Sequence, residues 1–556
     1  MRGAVVAVLI VLAVLALSGQ GIGILKYTPV SVVSDWTQKH VILPQSESIN
    51  AMINVSRDPR YWQQRWSRYA VMAARLALQG AAGLNRRAGG RDWSISLATG
   101  TAGPQNTYPA KFTFDVTAAP SCTADFVVTG INVAGSATQA NIVGLNNLYN
   151  GSCTGTVPAF MFAYNVGPGA VYASVVMSLD GKKLAFTENN GASTYFHVLT
   201  YGTTGTNGTD AAHPVVPGAA GGNNAVDTKV LLPEGTTTAP FVDYTNDIAY
   251  LTTYDSGVTT GTVRKITGVF RGTPTQVTTS GWPIASSTPL STPVRDSVSQ
   301  RLFFRNSAGQ VRYVDTAAAT GAIAAPFFTL TSGADGPARP PIVDSTNGMI
   351  YAYSSGGSGA GTYCVVGQAN INLDSTSWVT VNVGSVTALT AFTPDLNNAY
   401  YAGNLANAYL YAVGNDGTSS LRPTLYRIGF GTGWRLNSTR ESAHLHLTAT
   451  GGGTGGASTS PLTEFYNPTL AKDFLFVGIT DHCSTGVTGG CARSLDITNG
   501  LPASANTVIL GATGGTSGIT VDNISAQPGA ASVYYLTLGL NGTGYNLVKA
   551  TQAGLL

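Results

Sequence analysis

The chain has 556 residues, of which only 10% are Asp, Glu, Lys or Arg and 67 are Gly. That length exceeds one ordinary compact core unless the chain is built from repeats, and a hydrophobic content of 44% excludes disorder of the charged, low-hydropathy kind. A formal net charge of +3 provides no global field for nucleic acid.

Met1-Arg2-Gly3 opens the chain, and an uncharged apolar run follows from Ala4 to Leu17. Ala16-Leu17-Ser18 places small residues where a signal peptidase reads them, so residues 1–18 have the plan of a secretory signal peptide. The rival reading is a retained anchor reaching residue 25, since Ile22, Ile24 and Leu25 extend the apolar stretch to about 22 residues, enough to cross a bilayer. Residues 26–90 then form an N-terminal arm. Within it Asp58-Pro59 marks a helix start. Trp62, Trp66, Tyr69, Met72, Ala73 and Leu76 recur at spacings of three and four, which predicts one apolar face of a helix over 59–79. Arg57, Arg60, Arg65 and Arg68 belong to the most basic segment of the chain and are candidates for attachment to an anionic surface. The plainer alternative packs the aromatic face on the main body and leaves the arginines in solvent.

From Asp92 onward short alternating strands replace the helical period, as in Trp93-Ser94-Ile95-Ser96-Leu97 and Phe160-Met161-Phe162-Ala163-Tyr164. One phrase keeps returning: an Asp at a strand end, a short polar turn, then an apolar, Tyr-rich strand. Asp180 precedes Leu184-Ala185-Phe186, Asp243 precedes Ile248-Ala249-Tyr250, and Asp296 precedes Leu302-Phe303-Phe304. Asp344 and Asp395 continue the series, with weaker copies at Asp115 and Asn467 and a last one at Asp522. The clearest copies lie about 48 to 63 residues apart, a spacing suited to propeller or solenoid units. Counting predicts an all-β fold over 91–556, a β-propeller of about eight four-stranded blades, or seven if the first unit is misread. The last unit shows three strands, and Trp93–Leu97 would supply its fourth and close the ring. The recurrent Asp reads as a turn former that accepts backbone N–H groups, not as a catalytic acid.

Ser178-Leu179-Asp180-Gly181-Lys182-Lys183-Leu184-Ala185-Phe186 resembles the Ser-Pro-Asp-Gly-Lys-x-Leu-Ala-Phe repeat of TolB-type propellers, with Leu179 where Pro is usual. Thr346-Asn347-Gly348-Met349-Ile350-Tyr351-Ala352-Tyr353 is similar to quinoprotein-like repeats. The region from about 91 to 556 resembles large secreted bacterial propeller proteins without an assigned activity. The resemblance implies a fold and no activity, because such repeats serve binding, scaffolding and catalysis alike.

Five cysteines suit an exported chain. Cys483 and Cys491 flank a Gly-rich loop that a hairpin would close into a disulfide, and Cys122 with Cys153 is the second expected pair. Cys364 is left over. His444 and His446 form His-x-His, which on a strand turns both imidazoles to one side and makes them the candidate metal ligands. Gly451–Gly456 matches Gly-x-Gly-x-x-Gly without the strand and helix that nucleotide binding needs, so a loop is expected there. No cofactor is expected beyond a metal at the His-x-His strand. The resulting functional reading is an exported, non-enzymatic propeller at the cell surface, secreted or periplasmic, binding protein or polysaccharide and no nucleic acid. One alternative is an extracellular hydrolase, lyase or oxidoreductase with its site at the propeller mouth. Another is a subunit of a surface filament or layer, with self-assembly and membrane contact through a retained N-terminal helix.

Overall fold

The computed structural model describes residues 31–43, 58–68 and 90–551, the last range apart from 117, 192, 220–221, 256, 331–338, 356–362, 387–390, 417–421, 449–456, 468–469, 484–488, 503–506, 523–530 and 540–543. The leader and its expected cleavage point therefore lie outside the described residues, as do Arg57 and the glycine run Gly451–Gly456. Among the described residues no helix is long and apolar enough to cross a membrane.

The recurring Asp makes a turn of one design. The Asp243 carboxylate accepts from the N–H groups of Thr245 and Asn246 at 3.1 and 3.2 Å. Asp296 does the same with Val298 and Ser299 at 3.2 and 2.8 Å, and Asp344 with Thr346 and Asn347 at 2.7 and 3.2 Å. Four residues after each Asp the backbone turns left-handed, with φ of 60° at Asp247, 57° at Gln300 and 66° at Gly348. An Asx turn followed by a left-handed residue reverses the chain and starts the next strand.

This turn serves blades 3, 4 and 5 of the eight antiparallel blades, which span 110–164, 176–232, 241–286, 294–329, 342–386, 395–446, 463–511 and 520–551. Gly384 bridges Asn415 and so joins blades 5 and 6 into one hydrogen-bonded sheet. Blade 8 contributes three strands of its own, and Gly90–Ala98 pairs antiparallel with Tyr545–Thr551 as its fourth. The ring therefore has eight blades, closed by the N-terminal strand.

Each blade is apolar on both faces because it is sandwiched between two neighbours. Phe126 and Phe162 of blade 1 share a core with Met177 and Phe186 of blade 2. Tyr250 of blade 3 packs with Phe304 of blade 4, and Phe303 of blade 4 with Ile350 of blade 5. Phe476 of blade 7 meets Tyr535 of blade 8, whose Tyr534 and Leu536 meet Val127 and Leu145 of blade 1.

The arm runs through the middle of this ring. Val32–Ser34 pairs antiparallel with the inner strand Ala110–Thr113 of blade 1. A single 3-10 turn, Trp36–Lys39, follows, capped by the Asp35 side chain on the Thr37 N–H at 2.9 Å. Val41–Ile42 then pairs parallel with Ile342–Asp344 of blade 5. Blades 1 and 5 oppose each other in a ring of eight, so residues 31–43 bridge the axial channel as a plug. Trp36 packs among Tyr108, Ala173 and Ala239.

The helix is observed over Pro59–Arg68, and residues 69–79 of the expected span lie outside the described residues. Of the expected aromatic stripe, Trp62 is described and packs partly buried against the core of blades 4 and 5, and the most buried side chains of residues 58–64 are others. Arg60 and Tyr61 are 1% and 0% exposed and Gln64 is buried, whereas Trp62 is half-buried. The reason is hydrogen bonding. Gln64 accepts from the Leu43 N–H at 3.1 Å and donates to the carbonyls of Gln38 at 3.1 Å and Val41 at 2.6 Å. A polar residue that satisfies the plug's backbone is worth more at this position than another ring.

Candidate functional site: a tyrosine-lined cleft at the turn end of blades 5 to 7

The Asp turns do more than reverse the chain, because several also reach the next blade. Asp243 of blade 3 pairs with Arg295 of blade 4 at 3.0 Å. Asp296 of blade 4 accepts from the Ser345 hydroxyl of blade 5, and Asp344 of blade 5 from the Tyr400 hydroxyl of blade 6. Asp395 of blade 6 accepts from the Glu464 N–H of blade 7 at 2.7 Å. Asp522 of blade 8 pairs with Lys111 of blade 1 at 3.1 Å. Buried charge-assisted bonds of this kind fix how one blade seats on the next. Burial pushes the Asp395 carboxyl up to about 6, against the opposing charge of Lys39 on the plug.

Between these turns lies a cleft of about 590 Å³. Its floor is Ile42 at the end of the plug and Gln64 of the helix. Asp344 and Asn347 of the blade 5 turn form one side, and Asn398, Tyr400 and Tyr401 of blade 6 with Tyr466 of blade 7 form the other. In blade 6 the turn is replaced by a short helix, Asn398–Tyr401, capped by Asn397 on the Tyr400 N–H at 3.3 Å. That helix turns Tyr400 inward. Its hydroxyl bonds Asp344 and lies 2.7 Å from the hydroxyl of Tyr351. Asn347 donates to Asp344 at 2.8 Å. Burial raises the Asp344 carboxyl above its ordinary value even against these bonds.

A second cleft, of about 560 Å³, opens farther out between blades 5 and 6 and is lined by Trp378, Thr432, Arg435 and Asn437. Trp434 stands at its edge, 4.9 Å from Tyr400 ring to ring. The Trp434 carbonyl accepts from the Gln368 amide at 2.6 Å.

The sequence-predicted residues lie apart from this cleft. His444 and His446 sit on the strand His444–His446 at the outer side of blade 6, with ring centroids 5.1 Å apart. Nδ1 of His444 is 3.0 Å from the Ser442 carbonyl, and Nδ1 of His446 is 3.0 Å from the Thr424 hydroxyl. Two imidazoles are half of a tetrahedral ligand set. Among the described residues no group of three or more His, Cys, Asp or Glu is placed to hold a metal. The disulfides are Cys122–Cys153 and Cys483–Cys491, with Cα separations of 5.7 and 6.1 Å, and Cys364 is buried. Arg60, expected at an attachment surface, is buried instead. It pairs with Asp58 at 2.6 Å and donates to the Val242 carbonyl of blade 3 at 2.7 Å. Its guanidinium ties the helix to the inner strand of blade 3. Arg65 and Arg68 fall within the same helix.

One charged cluster went unnoticed in the sequence. His197 of blade 2 is fully buried, with Nε2 3.0 Å from Glu188 and Nδ1 3.0 Å from Asp227. Burial works against its charge, but the bonds to Asp227 and Glu188 prevail and raise its pKa. Burial likewise opposes charge on Glu188, and the bonds from His197 and the Gly169 N–H overcome it and lower its pKa. The three residues lie on adjacent strands at diagonal positions, Glu188 opposite Tyr195 and Asp227 opposite Leu199. No local spacing announces such a set.

The eight-sheet ring makes the chain a β-propeller. No family model matches it, and none of the curated proteins matches its sequence. Among solved structures it is similar to Sqt1 of Chaetomium thermophilum at 12% identity over 83% of this chain and 98% of that one, with a TM-score of 0.45. Sqt1 of Saccharomyces cerevisiae is similar at 10% identity over 84% and 100%, with a TM-score of 0.46. The WD40 β-propeller domain of Doa1 is similar at 9% identity over 69% and 94%, with a TM-score of 0.31. The blade count rests on this chain's own sheets, and the function on its own surface.

Proposed function

We propose that this chain is an exported β-propeller that binds or scaffolds a protein or polysaccharide partner at the cell surface and performs no chemistry of its own. The filled axis carries this reading. Residues 31–43 hydrogen-bond to the inner strands of opposite blades and occupy the channel where an axial enzyme site would have to lie. The accessible cleft at the turn end is walled by tyrosines, side-chain amides and Asp344, whose carboxylate is committed to its own turn and to Tyr400, a lining that favours contact. Export is supported by the apolar run Ala4–Leu17 ahead of Ser18 and by two disulfides, which suit an oxidising compartment. The TolB-type phrase around Asp180 supports a bacterial envelope as the setting.

The test uses the full chain as the host exports it. Intact mass is expected to show loss of residues 1–18, and a mass that retains Met1 would refute cleavage. The immobilised protein is expected to retain a partner from envelope protein or polysaccharide fractions, displaced by excess soluble ring and retained less well by a Tyr401→Ala, Tyr466→Ala double variant. Retention of nothing from either fraction would refute the binding reading.

A further inference from the structure

The geometry points to an elongated, uncharged oligosaccharide as the ligand of the turn-end face, an inference that rests on the binding reading above. Four half-exposed aromatic rings belong to the two clefts and the wall between them: Tyr466, Tyr401, Trp434 and Trp378. They come from blades 7, 6 and 5, and Tyr400 stands between Tyr401 and Trp434, 6.1 and 4.9 Å from them ring to ring. Flat apolar rings beside polar groups are what the alternating C–H faces and hydroxyl edges of a sugar require.

Trp434 is held in place at a conformational cost. Its φ is 61°, in the left-handed region that a bulky residue rarely adopts. The neighbouring Gly433, with φ of 70°, would take that conformation more readily. Its ring packs on Tyr400 and Phe430, contacts that hold the strained backbone and fix the orientation of the indole.

Most of the polar groups beside the rings are uncharged. Asn347 and Asn398 line the inner cleft, and Thr432 and Asn437 the outer one. Amides and hydroxyls both donate and accept, which matches vicinal sugar hydroxyls.

The charges nearby are already engaged. The Asp344 carboxylate holds Asn347, Tyr400 and two backbone N–H groups of its own turn. Arg435 directs its two terminal nitrogens to the carbonyls of Ser377 and Trp378, each at 3.2 Å. An anionic polymer would have to compete for a committed guanidinium. A peptide binding by strand addition needs an open strand edge, and the inner cleft is walled by turns and a short helix.

The experiment is calorimetric titration of the full chain with cellohexaose, xylohexaose, maltohexaose and chitohexaose, and with hexagalacturonate as the charged counterpart. At least one neutral hexamer is expected to bind, with at least tenfold preference over hexagalacturonate. Tyr466→Ala in the inner cleft and Trp378→Ala in the outer one are each expected to weaken that binding at least tenfold. Tyr466→Phe and Trp378→Phe are expected to restore it, and unchanged near-UV circular dichroism separates lost contact from lost fold. Binding of hexagalacturonate as tight as that of the neutral sugars, no binding of any neutral hexamer at millimolar concentration, or binding indifferent to both alanine variants would overturn the inference. An envelope protein still retained after such a result would leave the broader binding reading standing and remove only the sugar.

Discussion

His197 is fully buried with a carboxylate 3.0 Å from each ring nitrogen, so in blade 2 it works as a charged cross-link between three strands. Its folded pKa lies above the ordinary 6.5. A group raised on folding contributes stability that is fully present below about 6.5 and is lost as pH rises through the raised value. His197→Leu leaves Glu188 and Asp227 buried without their shared hydrogen-bonding cation, with Lys229 3.5 Å from Asp227 as partial compensation, a loss of about 3 kcal/mol. The expected readout is a lower urea midpoint at pH 6, with the gap to the native chain narrowing in alkaline buffer. Asp395 obeys the same sign from another cause. Burial raises it from 3.8 to about 6, so its contribution is full below 3.8 and disappears as pH climbs to 6. Asp395→Asn is expected to flatten the stability profile across that window, removing a pH-dependent swing of about 3 kcal/mol. Urea titrations at pH 4, 5, 6 and 7 would show it, and an unchanged slope would refute the assignment. Both residues were visible in the sequence only in part. The place of Asp395 at a strand end was legible from the repeat, but its expected turn role was not borne out: Asn397 caps the short helix that replaces the turn, and the Asp395 carboxylate accepts from the Leu396 and Glu464 N–H groups instead. Its burial beside Glu464 and Lys39 depends on segments far away in the chain. Nothing near Glu188, His197 or Asp227 signals their meeting.

At the scale of elements the plug departs most from a linear reading. Residues 26–55 have no clear period, because 31–43 form neither a sheet nor a helix of their own. They borrow hydrogen bonds from the inner strands of blades 1 and 5. The helix start at Asp58-Pro59 was legible, and the Asp58 carboxylate does accept from the Arg60 N–H at 3.0 Å. Trp62 of the expected aromatic face packs against the core, but the burial of Arg60 and Gln64 was not legible, since spacing takes no account of carbonyls needing donors. Trp36, 4% exposed, is the plug's main apolar anchor. Trp36→Ala is expected to cost about 3–5 kcal/mol. The plug should loosen before the ring does, so limited trypsin treatment is expected to cut after Lys39 much faster in the variant while the blades stay intact. Equal cleavage rates would show that the plug is held by its backbone pairing instead.

At the scale of the molecule, ring closure decides whether the blades form a stable monomer. Trp93 donates to the Leu148 carbonyl of blade 1 at 3.0 Å while packing on Tyr534 of blade 8, so the closing strand holds both ends of the ring together. A chain beginning at residue 90 keeps this strand and lacks the plug; a chain beginning at 99 lacks both. The first is expected to be a monomer with a lowered melting midpoint. The second exposes the edge Tyr545–Thr551 and is expected to associate through it. Light scattering after size exclusion distinguishes them, and a monomeric second chain with an unchanged midpoint would refute the closure role. The repeat, the blade count, the closing strand Trp93–Leu97 and the cysteine partners are properties of the sequence itself, because turns, strand alternation and short hairpin loops are local. The filling of the channel by the arm, the reach of several Asp residues to the next blade, the burial of Arg60 and the tyrosine cleft belong to the tertiary structure alone. Each depends on residues from different blades, or from the arm and a blade, meeting only when the ring has closed. The Asp turn that opened the repeat shows both sides: its shape follows from five consecutive residues, and its second partner exists only once a neighbouring blade has docked.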